Sequence, residues 1–315
     1  MTSPRPDTAR IAVMVPCYNE ETAIAQVVRD FRSALPSAAI YVYDNNSKDR
    51  TVEVARAAGA VVCTEPLQGK GNVVRRMFAD IEADIYVLVD GDDTYDAASA
   101  PALIRRLVDD QLDMVNGARV TEIQAAYRPG HRFGNALLTT MVAKVFGDRI
   151  GDMLSGYRVF SRRFVKSFPA LSSGFEIETE LTVHALELAL PVAEVQTPYK
   201  DRPAGSTSKL RTFHDGFRIL GTILVLIKEE RPLLFFTSLA ALLGTVSVVL
   251  IWPVLITFLH TGLVPRLPTA VLAMGIMLLG FLSLACGLIL DTVTRGRKEM
   301  KRMRYLEIPG PESSL

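Results

Sequence analysis

The sequence predicts an α/β fold: a mostly parallel, helix-covered sheet followed by an interfacial amphipathic helix and two transmembrane helices. Two patterns carry this expectation. Short β-rich runs alternate with amphipathic stretches through the first two-thirds of the 315 residues. Beyond them, neither Pro232 to Pro265 nor Leu267 to Leu290 contains an Asp, Glu, Lys or Arg. The mean hydropathy of +0.23 therefore averages over a segregated chain that a wholly soluble protein would not need.

Candidate strands are IAVMV at 11–15, IYVYD at 40–44, VVC at 61–63, IYVLVD at 85–90 and a weaker run at 113–120. Between them, Glu21 to Leu35 carries Ile24, Val27, Val28 and Phe31 at helical spacing, and Thr51 to Ala58 and Gly71 to Ile81 read as further helices. Strand–helix alternation of this kind builds a parallel sheet, whose ligands sit beyond the carboxyl ends of the strands.

Arg211 to Arg231 places Phe213, Phe217, Leu220, Leu224 and Ile227 on one stripe, as an interfacial helix would. The runs at 233–259 and 268–290 each suffice to cross a ~30 Å hydrocarbon layer. Arg295, Arg297, Lys298, Lys301, Arg302 and Arg304 follow the second run, and Arg218, Lys228 and Arg231 precede the first. The loop between the runs holds only Arg266, so the positive-inside rule puts both the N-terminal domain and the basic tail in the cytoplasm. The expected division is a catalytic domain at 1–210, an interfacial helix at 211–231, a transmembrane hairpin at 232–292 and a cytoplasmic tail at 293–315. Ala240/Gly244 and Ser283/Gly287 are small-xxx-small pairs that would suit close helix contact, including assembly of like chains.

Cys17, Cys63 and Cys286 lack metal or disulfide spacing. The polar start, MTSPRPDTAR, precedes an apolar run too short for a signal-peptide core. A net charge of +1 gives no electrostatic case for nucleic acid.

The chemistry gathers at strand ends. Strand IYVLVD runs into DGDDT, so Asp90 and Asp92 are carboxylates two apart, a pair suited to Mg²⁺ or Mn²⁺ with positions left open for diphosphate oxygens. An EF-hand loop counted from Asp90 fails, with Tyr95 where Gly is needed and Pro101 where Glu is needed. The first strand enters Pro16-Cys17-Tyr18-Asn19-Glu20 and the second Asp44-Asn45-Asn46-Ser47, more polar groups than helix capping requires. Gly69-Lys70-Gly71 is not a Walker A sequence, and no G-x-G-x-x-G is present.

Over residues 11–210 the ordered motifs PCYNE (16–20), DNNSKDRT (44–51), QGKGNVVR (68–75), DGDD (90–93), SGYRVF (155–160) and RPAGSTSKL (202–210) resemble the GT-A glycosyltransferases of family 2. Within that family they resemble the branch of dolichol-phosphate mannose synthase and bacterial polyprenyl-phosphate glycosyltransferases. The resemblance implies that Pro16, Tyr18, Glu20 and Asp44 lie near the base and ribose of a UDP- or GDP-linked sugar, with Asn19, Asn46, Lys70 and Gly91 in the same donor site. It implies metal at Asp90 and Asp92, with Thr94 at the third metal-side position. Arg132, Arg202, Ser206 and Lys209 would grip the acceptor phosphate or donor diphosphate at the membrane surface, and Ser155 and Arg158 are placed with them. The sequence departs from the family's D-D-x-S form at Asn45.

The acceptor decides whether a base is needed. A hydroxyl must lose a proton, whereas a lipid monophosphate, with a second pKa of about 6, is already largely dianionic at neutral pH. FEIETEL offers Glu176, Glu178 and Glu180, and in hydroxyl-acceptor members of the wider family an acidic residue in this region serves as base. Glu176 and Glu180, four apart, would share a face if the segment is helical and would serve as base, orient the sugar or pair with an arginine. The expected reaction transfers a sugar to a membrane polyprenyl phosphate, with inversion implied by the resemblance. Rival readings are a hydroxyl acceptor such as a glycolipid or polysaccharide, and a membrane scaffold that binds nucleotide sugar without turnover. A processive synthase would carry Q-x-x-R-W, but the only Trp is Trp252, inside a span. A transporter would want intramembrane charge, which the two spans lack.

Overall fold

The computed structural model describes residues 9–120, 150–174, 176–200, 225, 228–229 and 231–310. The chain forms two compact units, one of Met1–Ile219 with Lys301–Leu315, the other of Leu220–Met300.

The first unit is built on a seven-stranded sheet. Strands β1 (Ile11–Cys17), β2 (Ala39–Asp44), β3 (Val61–Thr64) and β4 (Ile85–Leu88) are mutually parallel, with Cys17 opposite Asp44, Asp44 opposite Thr64 and Met14 opposite Leu88. Their polar carboxyl-terminal residues therefore share one edge. Ala12 to Val15 and all of β4 are buried, as expected of strands covered on both faces. Strand β3 lies at the edge and is short and half-exposed.

Helix α1 (Ile24–Ala34) buries Ile24, Val27, Val28 and Phe31, the stripe the sequence sets out. Helices α2 (Thr51–Ala57) and α3 (Lys70–Asp80) complete the first crossovers. Helix α4 (Ala100–Asp109) has Pro101 in its first turn, where the missing N–H leaves no bond unmade.

The sheet then reverses. Its order is β3-β2-β1-β4-β6-β5-β7, with β5 (Met114–Val120), β6 (Arg158–Ser161) and β7 (Val192–Pro198). Strand β6 is antiparallel to both β4 and β5, and β7 is parallel to β5. With Leu88 opposite Arg158, β6 begins at the edge where β4 ends, so the segment before it hangs over the same polar edge. Helix α5 (Arg162–Ser167) is capped by Ser161, whose Oγ accepts from Phe164 N. Helix α6 (Ile177–Glu187) buries eight of its eleven residues.

The second unit contains most of two long helices, α7 (Pro232–Thr261) and α8 (Leu267–Leu306), each long and apolar enough to cross a membrane. Helix α7 runs through Pro253 and stops at Gly262, whose φ of 67° is the left-handed conformation that favours glycine. Ser247 Oγ donates to Ala273 O at 2.7 Å and Ser283 Oγ to Phe236 O at 3.3 Å. Gly287 lies against Phe236 and Gly280 against Ala240, so the small residues bring these two helices together within one chain. Helix α8 does not stop at the end of the uncharged run. It carries the expected basic tail as its last turns, and from Lys301 onward the chain belongs to the first unit. Of the expected interfacial helix at 211–231, only 225, 228, 229 and 231 are among the described residues.

Candidate active site

The loop after β1 is laced to the loop after β2. Asn19 N donates to Ser47 Oγ and Glu20 N to Thr51 Oγ1, each at 2.8 Å, while Lys48 N donates to Asn19 Oδ1 at 2.7 Å. Asn19 and Asn46 take φ of 54° and 64°, a left-handed conformation that asparagine tolerates. Asp44 is buried at the end of β2. Its Oδ2 accepts from Ser47 N, and its Oδ1 has no partner among the described residues. Pro16, Tyr18 and Glu20 are half-buried along the end of β1 and its loop, where Cys17 lies opposite Asp44.

Asn45, the departure from the family pattern, is a buried organiser. Its Nδ2 donates to Glu65 O and Leu67 O, both at 2.8 Å, and its Oδ1 accepts from Gly69 N at 2.7 Å. A carboxylate could not make the first two bonds. Asn46 Nδ2 adds a bond to Pro66 O. The loop between β3 and α3 is thus fixed by the two asparagines that follow Asp44.

That loop delivers Lys70 to the polar edge. Lys70 Nζ pairs with Asp90 Oδ1 at 2.5 Å and with Glu178 Oε1, although only 10% of its side chain is exposed. Burial opposes the charge, but Asp90 and Glu178 outweigh it and hold the ammonium above the usual lysine range. Gly69 (φ +131°) and Gly71 are required here by close approach. A methyl group on either would overlap the carbonyl oxygen of Ser173 or Ser172, respectively. Gly71 N and Asn72 N donate to Ser173 O at 3.1 and 3.4 Å, which satisfies the first turn of α3.

Asp90 and Asp92 follow β4. Asp92 is 5% exposed and accepts from Thr94 Oγ1 at 2.6 Å, so Thr94 orients a carboxylate. A side chain at Gly156 would overlap the Asp90 carboxylate, so the glycine of SGYRVF makes room for it. Tyr95 Oη accepts from Gly156 N at 2.8 Å and fixes that approach. Gly91 lies against the buried Cys17 Sγ. The donors of Asp90 and Asp92 are hard oxygens, and among the described residues no group of three or more His, Cys, Asp or Glu side chains is arranged to hold a metal ion by itself. Such a pair suits a hard cation whose remaining ligands come from phosphate and water.

Residues 12–168 match the family described as Glycosyl transferase family 2. The chain is 33% identical to glycosyltransferase AglJ of Haloferax volcanii over 96% of this chain and 100% of that protein. It is a family 2 glycosyltransferase. This glycosyltransferase is also 31% identical to a dolichyl-phosphate hexose transferase of Haloferax volcanii, over 70% of its own length and 95% of the relative's. Its fold is similar to that of glucosyl-3-phosphoglycerate synthase from Mycobacterium tuberculosis, crystallised with Mn²⁺, uridine diphosphate and glucosyl-3-phosphoglycerate. That likeness has a TM-score of 0.56 at 22% identity, over 72% of this chain and 86% of the other, and establishes the GT-A fold.

Two expectations for this glycosyltransferase need correcting. Arg158 is 0% exposed and points into the core. Its guanidinium donates to Ser155 O (3.0 Å), Met153 O (2.6 Å) and Thr182 Oγ1 (2.8 Å), and burial brings its pKa down to about 10. It braces the segment before β6 against α6 and is not placed to meet a phosphate. Ser155 is equally buried, its Oγ donating to Gly117 O at 2.5 Å.

The three carboxylates of FEIETEL have different surroundings. Glu180 accepts from Leu171 N (2.9 Å) and Ser172 N (2.8 Å), fixing the segment that crosses Gly69 and Gly71. Glu176 is half-buried at the start of α6. The carboxylate that reaches the Asp90 cluster is Glu178, whose Oε2 is buried without a partner among the described residues. Its signal was legible as an acidic residue one turn before Thr182, on the same buried helix face as Leu181 and Ala185. Arg132, Arg202, Ser206 and Lys209 lie outside the described residues.

Proposed function

We propose that this glycosyltransferase moves a hexose from a UDP- or GDP-linked sugar to a polyprenyl phosphate held in a membrane. The observation that carries the reading is the pairing of a GT-A domain with two membrane-length helices in one chain. The similarity to a dolichyl-phosphate hexose transferase supports the same acceptor class.

In this reading Asp90 and Asp92 would hold Mg²⁺ or Mn²⁺, which when bound neutralises charge on the departing nucleoside diphosphate. The loops carrying Pro16, Tyr18, Asn19, Glu20, Asp44 and Asn46 bind base and ribose, and Gly91 keeps the Asp90–Asp92 turn close to Cys17. Lys70 supplies positive charge beside the diphosphate. Arg132, Arg202, Ser206 and Lys209 take the acceptor phosphate. The acceptor reading agrees with the state of the nearby acids: Glu180 binds two amides and Glu178 is paired with Lys70. A phosphate dianion attacks without surrendering a proton, so neither acid is needed as a base. The basic residues flanking the uncharged runs support a cytoplasmic catalytic domain, where nucleotide sugars are found.

The test is transfer of label from a panel of UDP- and GDP-sugars to undecaprenyl phosphate by detergent-purified protein with Mg²⁺ or Mn²⁺, scored in the organic phase. One donor should give label that disappears in Asp92→Ala. Donor binding without organic-phase label would reject the lipid-phosphate acceptor in favour of a hydroxyl.

A further inference from the structure

The last turns of α8 return to the sheet-bearing unit and close over the C-terminal end of α6. Lys301 Nζ pairs with Glu187 Oε2 at 3.0 Å, and Arg302 Nη1 donates to Leu188 O at 2.7 Å. Glu187 has a side chain only 1% exposed and stands at the negative end of a helix dipole, an unfavourable place for a carboxylate. Leu188 O belongs to the helix terminus, where carbonyls lack partners within the helix. Two cations from the C-terminal segment answer both deficits.

A second anchor lies beside the first. Asp113 is 0% exposed, and its carboxylate is saturated by four donors: Ser161 Oγ (2.7 Å), Arg163 Nε (3.0 Å), Arg163 Nη2 (2.9 Å) and Tyr305 Oη (2.7 Å). The Arg163 guanidinium also lies 4.2 Å from the Tyr305 ring centroid. Tyr305 and Ile308 are themselves buried.

Helix α6 therefore has one end in each place. Its first turn carries Glu178, which meets Lys70, and Glu180, which holds the 171–172 amides over the glycines of α3. Its last turn is gripped by Lys301 and Arg302. Eleven residues of helix span about 16 Å as a stiff rod, so fixing one end sets the position of the other.

We propose that Lys301–Ile308 is a positioning strap for the transfer site. By fixing the C-terminal end of α6, it keeps Glu178 in register with Lys70 and Asp90, and Glu180 in register with the loop over Gly69 and Gly71. Lys301 and Arg302 act through α6, Tyr305 seats the strap on Asp113 and Arg163, and none of the three touches substrate. Only the kinetic consequence rests on the proposed transfer reaction.

The test uses the full chain in detergent or nanodiscs, comparing the parent with Tyr305→Phe, Arg302→Ala, their double variant and Arg302→Lys. Amide hydrogen exchange is read over 171–188, 301–310 and β1 to β4, alongside transfer kinetics. The double variant should exchange about tenfold faster across 171–182, with β1 to β4 unchanged. Its kcat should fall about tenfold at a donor KM within twofold of the parent, and Arg302→Lys should recover most of both. Faster exchange confined to 301–310 would overturn the proposal, as would an unchanged kcat in a chain whose 171–182 segment has loosened. If the double variant loosens the whole sheet, Tyr305→Phe, which removes one hydroxyl, decides by the same criteria. Absence of transfer in the parent would reject the functional reading, and the exchange pattern alone would then decide the strap.

Discussion

Lys70 Nζ lies 2.5 Å from Asp90 Oδ1 and also reaches Glu178 Oε1, so one ammonium joins the end of β4 to the first turn of α6. Lys70→Met leaves two poorly solvated carboxylates without their shared cation. Breaking a buried pair from one side costs about 3 kcal/mol or more. The urea midpoint should fall accordingly, and Lys70→Met with Glu178→Gln should recover part of the loss. Equal midpoints for the single and double variants would show that the two side chains are not coupled.

Asn45→Asp exchanges two donors for acceptors opposite Glu65 O and Leu67 O. Leaving buried carbonyls facing a carboxylate should cost about 2 to 4 kcal/mol. Because the same loop carries Gly69 and Lys70, nucleotide affinity should fall at least tenfold by calorimetric titration. An unchanged affinity would mean that the loop holds its shape without Asn45.

Gly71→Ala and Glu180→Ala should produce the same defect from opposite sides. The first pushes Ser172 O away, and the second releases the Leu171 and Ser172 amides. Each is expected to destabilise by about 1 to 3 kcal/mol and to speed hydrogen exchange at 171–173. If Glu180→Ala instead altered only the pH dependence of transfer, it would be acting as a base.

His184 sits edge-on to Phe164 and Phe168 on α6, with Lys301 and Glu187 as its charged neighbours. Burial, aided by Lys301, lowers its pKa from 6.5 to about 4. Between those values the unfolded chain binds a proton that the folded chain refuses, so stability is full above pH 6.5 and declines as pH falls. The total loss by pH 4 is on the order of 3 kcal/mol. Unfolding midpoints measured from pH 7.5 to 5 should drop less steeply in His184→Leu than in the parent.

The sequence shows β1, β2 and β4 as short apolar runs that break into polar residues, and α1 by its stripe of Ile24, Val27, Val28 and Phe31. Strand β6 is not legible: RVFS holds only two apolar residues, and its first residue, Arg158, reads as a ligand-binding group. Only the fold reveals that three oxygens of the core surround that guanidinium. In FEIETEL the i, i+4 spacing gives Glu176 and Glu180 a shared helix face. Packing of Ile177, Leu181 and Ala185 set the phase of α6 and turned Glu178 inward. The basic run at 295–304 reads as a cytoplasmic tail because nothing local to it shows that Glu187, Leu188 O and Asp113 take donors from it.

Asp113 and Tyr305 are 192 positions apart, with both apolar helices between them. During synthesis, α7 and almost all of α8 emerge before the Asp113 carboxylate can receive its last donor. The sheet can assemble early around β1 to β4, whose crossovers are short in sequence, but its final contacts must await completion of the hairpin. The last donor to this buried carboxylate therefore arrives at the very end of the chain's second apolar helix, and a chain stalled before residue 305 leaves Asp113 one donor short.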